Sequence, residues 1–404
     1  MVAGCLAIAV VAWSFALYGP SVYLYSISQT RGWSIGLISS ALTCAFIVNA
    51  FALGAVGSLI GRIGPKIMMT AGAAVLAIAL ACIGQASEVW QVYAAFACMA
   101  LGWSCLSTTA ISSTLAPWFD RHQGRAVSTA LLGASLGGVV GVPILLSLIG
   151  KLGFSTAMVV VALLVVAIIW PISLIVMRRH PHDLGLIADG VAPGPAARAV
   201  AARAWTRSGA LQTFALRTVT LAFGLALMVQ IGFLTHQVTL LRQLLDESNT
   251  ALTVSCAAAL AFAGRLLLAK FSDQVDVRVT AAIVLVVACA GLAVVSLAQS
   301  AWTIVAGVLI YGFTAGNITT LSPLIVRREF GAASFGAVFG MTAMLIQFMS
   351  AMGPAFFGTL HDWTGGYAIP VGIAALMNLA AALCVLAGRK SAAAVLSPQE
   401  SASP

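Results

Sequence analysis

Twelve runs of apolar residues, separated by short polar breaks, dominate this sequence of 404 residues. Each run has about the 20 residues that an α-helix needs to cross the apolar layer of a membrane. Lone strands would leave backbone groups unpaired in lipid, so the runs predict an all-α membrane protein with twelve transmembrane helices. The predicted spans are 4–27, 35–61, 67–86, 89–116, 126–149, 155–177, 218–240, 250–269, 279–298, 303–325, 335–360 and 367–388.

The composition agrees with this assignment. Only 8% of the residues are charged, about a third of the share in soluble domains, which excludes a soluble globular protein and a disordered chain. The eight cysteines all lie in apolar runs and form no CxxC pair, so we expect neither disulfides nor a metal site. The chain has no phosphate-binding GxxxxGK[ST] loop, which argues against a nucleotide-driven pump, and we expect no cofactor.

The longest polar break, 178–217, separates six spans from six. We therefore expect an N-terminal six-helix half at 1–177, a central cytoplasmic loop at 178–217, a C-terminal six-helix half at 218–388 and a cytoplasmic tail at 389–404. Two halves of this kind are a common plan for transporters, which hold their substrate between the halves near the middle of the membrane.

Lysine and arginine collect on one side of the predicted spans. With the N-terminus in the cytoplasm, sixteen of the 20 lie in inner loops or the tail, three in outer loops and one within a span. This bias predicts that both termini are cytoplasmic. It also accounts for the net charge of +9 without a nucleic-acid partner.

Arg265 is the one charged residue predicted inside a span, where it costs about 2.5–3.5 kcal/mol on insertion scales. An anionic ligand would offset that cost, and the guanidinium fork matches a carboxylate. The alternative is a structural arginine that extends to the inner interface, because Lys270 follows after about 7.5 Å of helix.

Uncharged polar side chains are predicted at a similar depth to Arg265. Asn49, Asn317 and Gln347 lie ~20–21 Å from the outer ends of their spans, against ~22 Å for Arg265. Each amide either contacts substrate or bonds a neighbouring helix. Two deep aromatic residues could line the same cavity, so the candidate substrate contacts are Arg265, Asn317, Gln347, Asn49, Tyr18 and Trp103.

His236 is the only histidine predicted within a span, ~6 Å from its outer end. That depth is too far from Arg265 for both side chains to hold one small anion. A role in outer gating or proton handling is one interpretation, since imidazole titrates near neutral pH. The other is an interfacial histidine bonded to its neighbours.

Several motifs resemble the major facilitator superfamily. The connector with Arg62, Gly64 and Lys66 is similar to a signature loop of that family, although Gly61 stands where the family usually has aspartate. Asp273 occupies the matching place in the second half. The resemblance implies a conformational role for the cytoplasmic loop residues Gly57, Arg62, Gly64, Lys66, Asp273, Arg278, Arg121 and Arg125.

Other motifs, such as Arg31-Gly32-Trp33-Ser34, resemble the branch of monocarboxylate porters and oxalate–formate antiporters. Arg265, within Ala263-Gly264-Arg265-Leu266, resembles the arginine of the eighth span that anchors the substrate carboxylate in that branch. Oxalate porters carry a lysine in span 11, whereas Gln347 lies near that place here. The resemblance therefore favours a substrate with a single negative charge.

Together these features predict a secondary active or facilitative transporter that moves a small organic monocarboxylate by alternating access. We expect it to be monomeric and to lie in the plasma membrane, specifically a bacterial inner membrane. The alternative is an exporter of drugs or other metabolites with the same fold, in which Arg265 is structural. A membrane enzyme would need a nucleophile–base pair or a metal cluster, and the spans contain neither pattern.

Overall fold

The computed structural model describes residues 1–119, 122–177, 205–271, 276–389 and 391, and within these ranges the chain is helical with short turns. Twelve stretches are long and apolar enough to cross a membrane, as predicted. They are α1 (Val2–Arg31), α2 (Ile35–Val56), α3 (Leu59–Gln85), α4 (Val89–Leu115), α5 (Arg125–Leu152), α6 (Phe154–Val176), α7 (Phe214–Leu241), α8 (Glu247–Leu268), α9 (Val277–Ser296), α10 (Ala301–Gly331), α11 (Ser334–Thr364) and α12 (Ala368–Ala387).

Two connections between spans are much shorter than the sequence suggested. The stretches α2 and α3 belong to one helical run, Ile35–Gln85, which leaves helical geometry at Gly64, near the start of α3, with φ of 80°. The run Ala301–Ala351, which contains α10 and the first part of α11, breaks in the same way at Gly331 with φ of 76°. Glycine adopts this left-handed backbone without steric cost, so a single residue suffices for each break.

Two spans are irregular near their middle. In α1 the segment Ser14–Tyr18 is a π-helix. It ends just before Gly19 and Pro20, and the proline ring cannot supply a backbone N–H to the preceding turn. In α4 the helix ends at Ser104 and starts again at Thr108. Irregular backbone at this depth is tolerated where protein or water satisfies its polar groups.

The chain divides into two compact units. The first unit contains Met1–Ala196 and Leu234–Ala259, and the second contains Ala197–Phe233 and Leu260–Pro404. In the first unit, α5 packs closely on α1 through Gly133, Gly137 and Gly141, where a Cβ atom would overlap atoms of α1. These glycines share one helix face, and their small size lets the two backbones approach. This face therefore serves packing inside one unit.

The second unit uses glycine in the same way. A Cβ atom on Gly353 of α11 would overlap the backbone of α7 at Met228 and Gly232. A Cβ atom on Gly264 of α8 would overlap the carbonyl oxygen of Phe313 in α10, and one on Gly316 would overlap that of Ala261. The closest approach of α8 and α10 thus lies directly beside Arg265.

Candidate functional site

Arg265 lies along α10 rather than extending toward the end of α8. Its Nε donates a hydrogen bond to the carbonyl oxygen of Gly316 at 3.0 Å, and its Nη2 donates to Oγ1 of Thr319 at 3.5 Å. The side chain is half-buried. These two neutral partners orient the guanidinium along α10.

The depth of this contact follows from α10. Gly316 lies midway between the ends of α10 at Ala301 and Gly331, ~22 Å of helix from either one. Side chains in a helix lean toward its N-terminus, and Arg265 accordingly lies over the turn that holds Ala261. The charge is therefore held beside the middle of α10, although Lys270 is only five residues further along the chain.

Asn317 follows Gly316 and is part of the same cluster. Its side chain is 95% buried, since only 5% of its surface is exposed, and Oδ1 has no hydrogen-bond partner among the described residues. Its Nδ2 lies 3.2 Å from the point that a Cβ atom on Gly264 would occupy. The structure thus brings together two predicted contacts, Arg265 and Asn317, at the crossing of α8 and α10.

Thr319 and Thr320 complete this cluster, and the sequence analysis missed both. Each hydroxyl donates to the carbonyl oxygen of Gly316 at 3.0 Å, the same oxygen that accepts from Arg265. In each of the two spans a glycine directly precedes the polar residue, Gly264 before Arg265 and Gly316 before Asn317. This pattern could have indicated the crossing.

Gln347 lies on α11 and is half-buried. Its backbone carbonyl accepts a hydrogen bond of 2.8 Å from the Ser350 hydroxyl. Its role as a substrate contact stays a prediction.

Asn49 and Trp103 belong to the first unit. Asn49 is buried, and its Nδ2 donates to Oγ of Ser104 at 2.9 Å, which joins α2 to α4. The ring of Trp103 meets the rings of Trp13 and Phe46 edge to face, with centroids 6.3 and 6.0 Å away. The amide of Asn49 therefore forms a contact between two helices, which is one of the two roles predicted for it.

Tyr18 is the last residue of the π-helical segment of α1. Its ring packs on Gly138 of α5, where a Cβ atom would lie 2.6 Å from Cζ. The ring is half-buried. Its predicted part in lining a cavity stays a prediction.

His236 is buried within the first unit, although it belongs to α7. Its Nε2 lies 3.1 Å from Oγ of Ser39 in α2. Just past the end of α7, Arg242 Nε donates to the hydroxyl of Tyr25 at 3.3 Å, and its guanidinium lies 5.5 Å from the centre of that ring. These contacts join α7 to α1 and α2 at their predicted outer ends.

The loop motifs have varied surroundings. Gly57 lies within the helical run that breaks at Gly64, Arg62 is exposed and Lys66 is half-buried. Arg125 is exposed at the start of α5. Arg121 and Asp273 lie outside the described residues.

Arg278, predicted in the cytoplasmic connector before the ninth span, lies in the first turn of α9 and is only 3% exposed. It forms a salt bridge with Glu329 of α10, and it also donates to the carbonyl oxygens of Ala215 and Val385 at 2.9 and 2.8 Å. Arg278 thus binds the predicted inner ends of α7, α10 and α12.

Among the residues that the structure describes, no three His, Cys, Asp or Glu side chains are grouped as a metal site requires. Near the middle of α10, the second unit instead brings together a fixed cation, a buried amide and two hydroxyl groups. Such a set can bind an anion and form hydrogen bonds with the polar groups of the ligand that lie beside its charge.

Comparison with known families gives a match to the model of the Major Facilitator Superfamily over residues 4–354. Among curated proteins, "MFS-type transporter 1" of Ophiocordyceps sp. (strain BCC 1869) is 25% identical over 356 residues, which cover 85% of this chain and 74% of the relative. "Monocarboxylate transporter 13" of Bos taurus is 25% identical over 333 residues, which cover 80% of this chain and 74% of the relative.

A solved structure shares the fold. The crystal structure of a bacterial homologue of the human lysosomal transporter Spinster, inward-facing and occupied, matches with a TM-score of 0.68. The match covers 98% of this chain and 96% of that one at 12% sequence identity, so it supports the fold alone.

Proposed function

This chain belongs to the Major Facilitator Superfamily and is an integral membrane transporter, and we propose that its solute is a small organic monocarboxylate. The observation that carries the proposal is the position of Arg265. Its guanidinium is fixed beside the middle of α10 by hydrogen bonds to Gly316 and Thr319. A cation held at this depth in a membrane-spanning helix favours a solute of opposite charge.

The guanidinium also favours a carboxylate among anions. Its planar fork donates two parallel hydrogen bonds to a carboxylate, and such charge-assisted bonds are about twice as strong as neutral ones. The name of the bovine relative, a monocarboxylate transporter, gives weak support to the same class. A single negative charge is preferred, because the cluster at the α8–α10 crossing contributes one cation.

Transport follows alternating access in this proposal, with both termini in the cytoplasm of a bacterial cell and the protein monomeric in the inner membrane. The contacts of α7 with α1 and α2, at His236–Ser39 and Arg242–Tyr25, close the predicted outer ends of these helices. They must separate before a solute can pass there. Solute exchange, facilitated diffusion, and symport with either the solute or His236 carrying the proton are the coupling modes that the residues allow.

An exporter of drugs or other metabolites is the second candidate. The observation that favours it is the bond from Arg265 to the Gly316 carbonyl, since an arginine that ties α8 to α10 can be structural. The two functions differ in the charge of the solute, because a fixed guanidinium repels cationic drugs.

A counterflow screen in proteoliposomes tests the proposal. Vesicles are preloaded with one unlabelled acid, and uptake of a labelled monocarboxylate is measured with and without a pH gradient. We expect short monocarboxylates to drive uptake, and dicarboxylates, uncharged analogues and cationic drugs to fail. Exchange driven by cationic or neutral compounds, with no response to any monocarboxylate, would reject the proposed solute class.

A further inference from the structure

A short segment before α7 contacts the connection between α10 and α11. The backbone N–H of Trp205 donates a hydrogen bond to Oγ of Ser334 at 2.8 Å, and its ring meets the ring of Phe330 edge to face, with centroids 5.5 Å apart. Ser334 is the first residue of α11 and Phe330 the last but one of α10, and both are buried. Trp205 therefore contacts both sides of the break at Gly331. We call residues 205–212 the strap.

The break at Gly331 has the properties of a hinge. Its φ of 76° lies in the left-handed region, and a Cβ atom on it would meet nothing within 4 Å. The backbone conformation, and not crowding, is thus the reason for glycine at this position. Because glycine adopts many other backbone angles at little cost, the angle between α10 and α11 can change by rotation at this one residue.

The strap is fastened to the start of α7. The hydroxyl oxygen of Thr206 caps the short helix Arg207–Gln212, where it accepts a hydrogen bond of 3.2 Å from the backbone N–H of Gly209. At the other end of this helix, the carbonyl oxygen of Leu211 accepts a hydrogen bond of 2.7 Å from Nε of Arg217 in α7. The strap therefore keeps its position relative to the first turns of α7.

The end of α10 is fastened to the same part of α7. Glu329, directly before Phe330, pairs with Arg278, which also donates to the carbonyl oxygen of Ala215 in the first turn of α7 at 2.9 Å. The strap, the start of α7 and the end of α10 thus form one body. Across the hinge, the contact that ties the first turn of α11 to this body is the hydrogen bond from Trp205 to Ser334.

We propose that the strap is a conformational latch, in which Trp205 holds the first turn of α11 in this conformation and releases it during each transport cycle. Alternating access moves helices of a half and is carried by hinges at a few residues. A single neutral hydrogen bond is weak enough to break and form again in such a cycle. The ring contact with Phe330 keeps the donor in place while α11 swings at Gly331. The latch requires a transporter, which the family establishes, and no particular solute.

Hydrogen exchange of the backbone amides at 334–342 tests the latch in the purified full-length protein without solute, because it reports how often this segment opens. Trp205→Ala removes the ring that positions the donor, and Ser334→Ala removes the acceptor. We expect each variant to exchange these amides about threefold faster than wild type or more, whereas Trp205→Phe, which retains a ring and the N–H, stays within about twofold. Trp302→Ala is the control, because Trp302 is 84% exposed at the start of α10 and should leave this exchange unchanged.

A reversible covalent lock tests whether the strap must release. In the double variant Trp205→Cys with Ser334→Cys, two thiols replace side chains at positions where the backbone nitrogen of 205 and Oγ of 334 are 2.8 Å apart, which brings a disulfide within reach. Oxidation should lower both the exchange at 334–342 and the uptake of labelled glycolate into proteoliposomes about tenfold, and reduction should restore both. The two single-cysteine variants under the same oxidant are the controls, because the chain has eight cysteines of its own.

Wild-type exchange rates in folded Trp205→Ala and Ser334→Ala, with thermal unfolding as the check on folding, would overturn the proposal. Ser334→Ala removes a single hydroxyl group and keeps this test available if Trp205→Ala does not fold. An oxidised double variant that takes up glycolate as fast as the reduced one would overturn it as well. Absence of glycolate uptake by wild-type protein counts against the proposed solute, and the exchange rates then decide on the latch alone.

Discussion

The guanidinium of Arg278 meets the carboxylate of Glu329 through two hydrogen bonds, from Nε at 2.6 Å and from Nη2 at 2.9 Å. Both side chains are buried in the second unit, where charges are stable only when they are paired and hydrogen-bonded. Further bonds from Arg278 to the carbonyl oxygens of Ala215 and Val385 and to the hydroxyl oxygen of Thr218 use the three remaining donors. This cluster joins four helices, α7, α9, α10 and α12.

Removing the carboxylate of this pair should destabilise the protein strongly. Glu329→Ala leaves the buried charge of Arg278 without its partner, and we expect a loss of about 3–5 kcal/mol in the free energy of unfolding. Chemical unfolding of the purified protein in detergent measures it. The control is Arg389→Gln, which breaks the exposed pair with Asp276. That change should lower the free energy of unfolding by less than about 1 kcal/mol. Equal losses from the two substitutions would contradict a special contribution of the buried Arg278 pair to stability.

Asp276 caps the N-terminus of α9 and should make that terminus sensitive to acid. Partial burial raises the pKa of its carboxyl, but hydrogen bonds from the backbone N–H groups of Val279 and Arg278 and from Arg389 outweigh that effect and lower the pKa below its usual 3.8. A carboxyl with a lowered pKa stabilises the folded state above its usual pKa. That contribution disappears as the pH falls through the lowered value.

The cap can be tested by substitution. Asp276→Ala should destabilise the protein by about 1 kcal/mol near neutral pH, whereas Asp276→Asn should lose less because asparagine is also a good N-cap. Thermal unfolding of wild type and Asp276→Ala from pH 7 down to below pH 3.8 provides the measurement. The difference between the two should shrink toward acid pH, and a constant or growing difference would argue against the cap.

The glycine crossing of α8 and α10 sets the position of Arg265. A Cβ atom on Gly316 would overlap the carbonyl oxygen of Ala261, so Gly316→Ala must push the helices apart and weaken the bond from Arg265 Nε. We expect at least a tenfold loss of transport and a destabilisation of about 1–3 kcal/mol. Gly340→Ala in α11 is the control, because a Cβ atom there meets nothing within 4 Å. Equal transport by the two variants would contradict a positioning role for the crossing.

Hydropathy was sufficient to predict the twelve spans, because every helix in lipid must satisfy its own backbone and bury apolar residues over its whole length. It could not predict the π-helical segment Ser14–Tyr18 or the interruption of α4 after Ser104, since neither changes the apolar character of its span. Both depend on local hydrogen bonding and on packing against neighbouring helices.

The site was predictable only in part. Arg265 was evident as a charge in an apolar run, and Asn317 from its estimated depth. The role of the Gly316 carbonyl in orienting the guanidinium could not be predicted, because it depends on a contact between residues that are 51 positions apart in the sequence. The same separation of 51 positions conceals the pairing of Arg278 with Glu329, which the sequence placed in two separate polar breaks.

His236 should govern the pH dependence of transport more than the affinity for solute. Its Nε2 lies 3.1 Å from the Ser39 hydroxyl in the first unit, and imidazole is the side chain whose ordinary titration range lies between pH 5 and 8. His236→Gln should flatten the pH profile of uptake and change KM less than twofold. Ser39→Ala retains the imidazole as a control, and a profile that His236→Gln leaves unaltered would remove this residue from proton handling.

The central claim is that Arg265 anchors the carboxylate of the solute, and solute exchange by its variants tests this most directly. Uptake of a labelled monocarboxylate is compared in proteoliposomes with equal amounts of wild type, Arg265→Ala and Arg265→Lys, each shown to be folded by its thermal unfolding. We predict that Arg265→Ala abolishes exchange and that Arg265→Lys retains little, because an ammonium group lacks the bidentate fork. Exchange at the wild-type rate by either variant would contradict the claim.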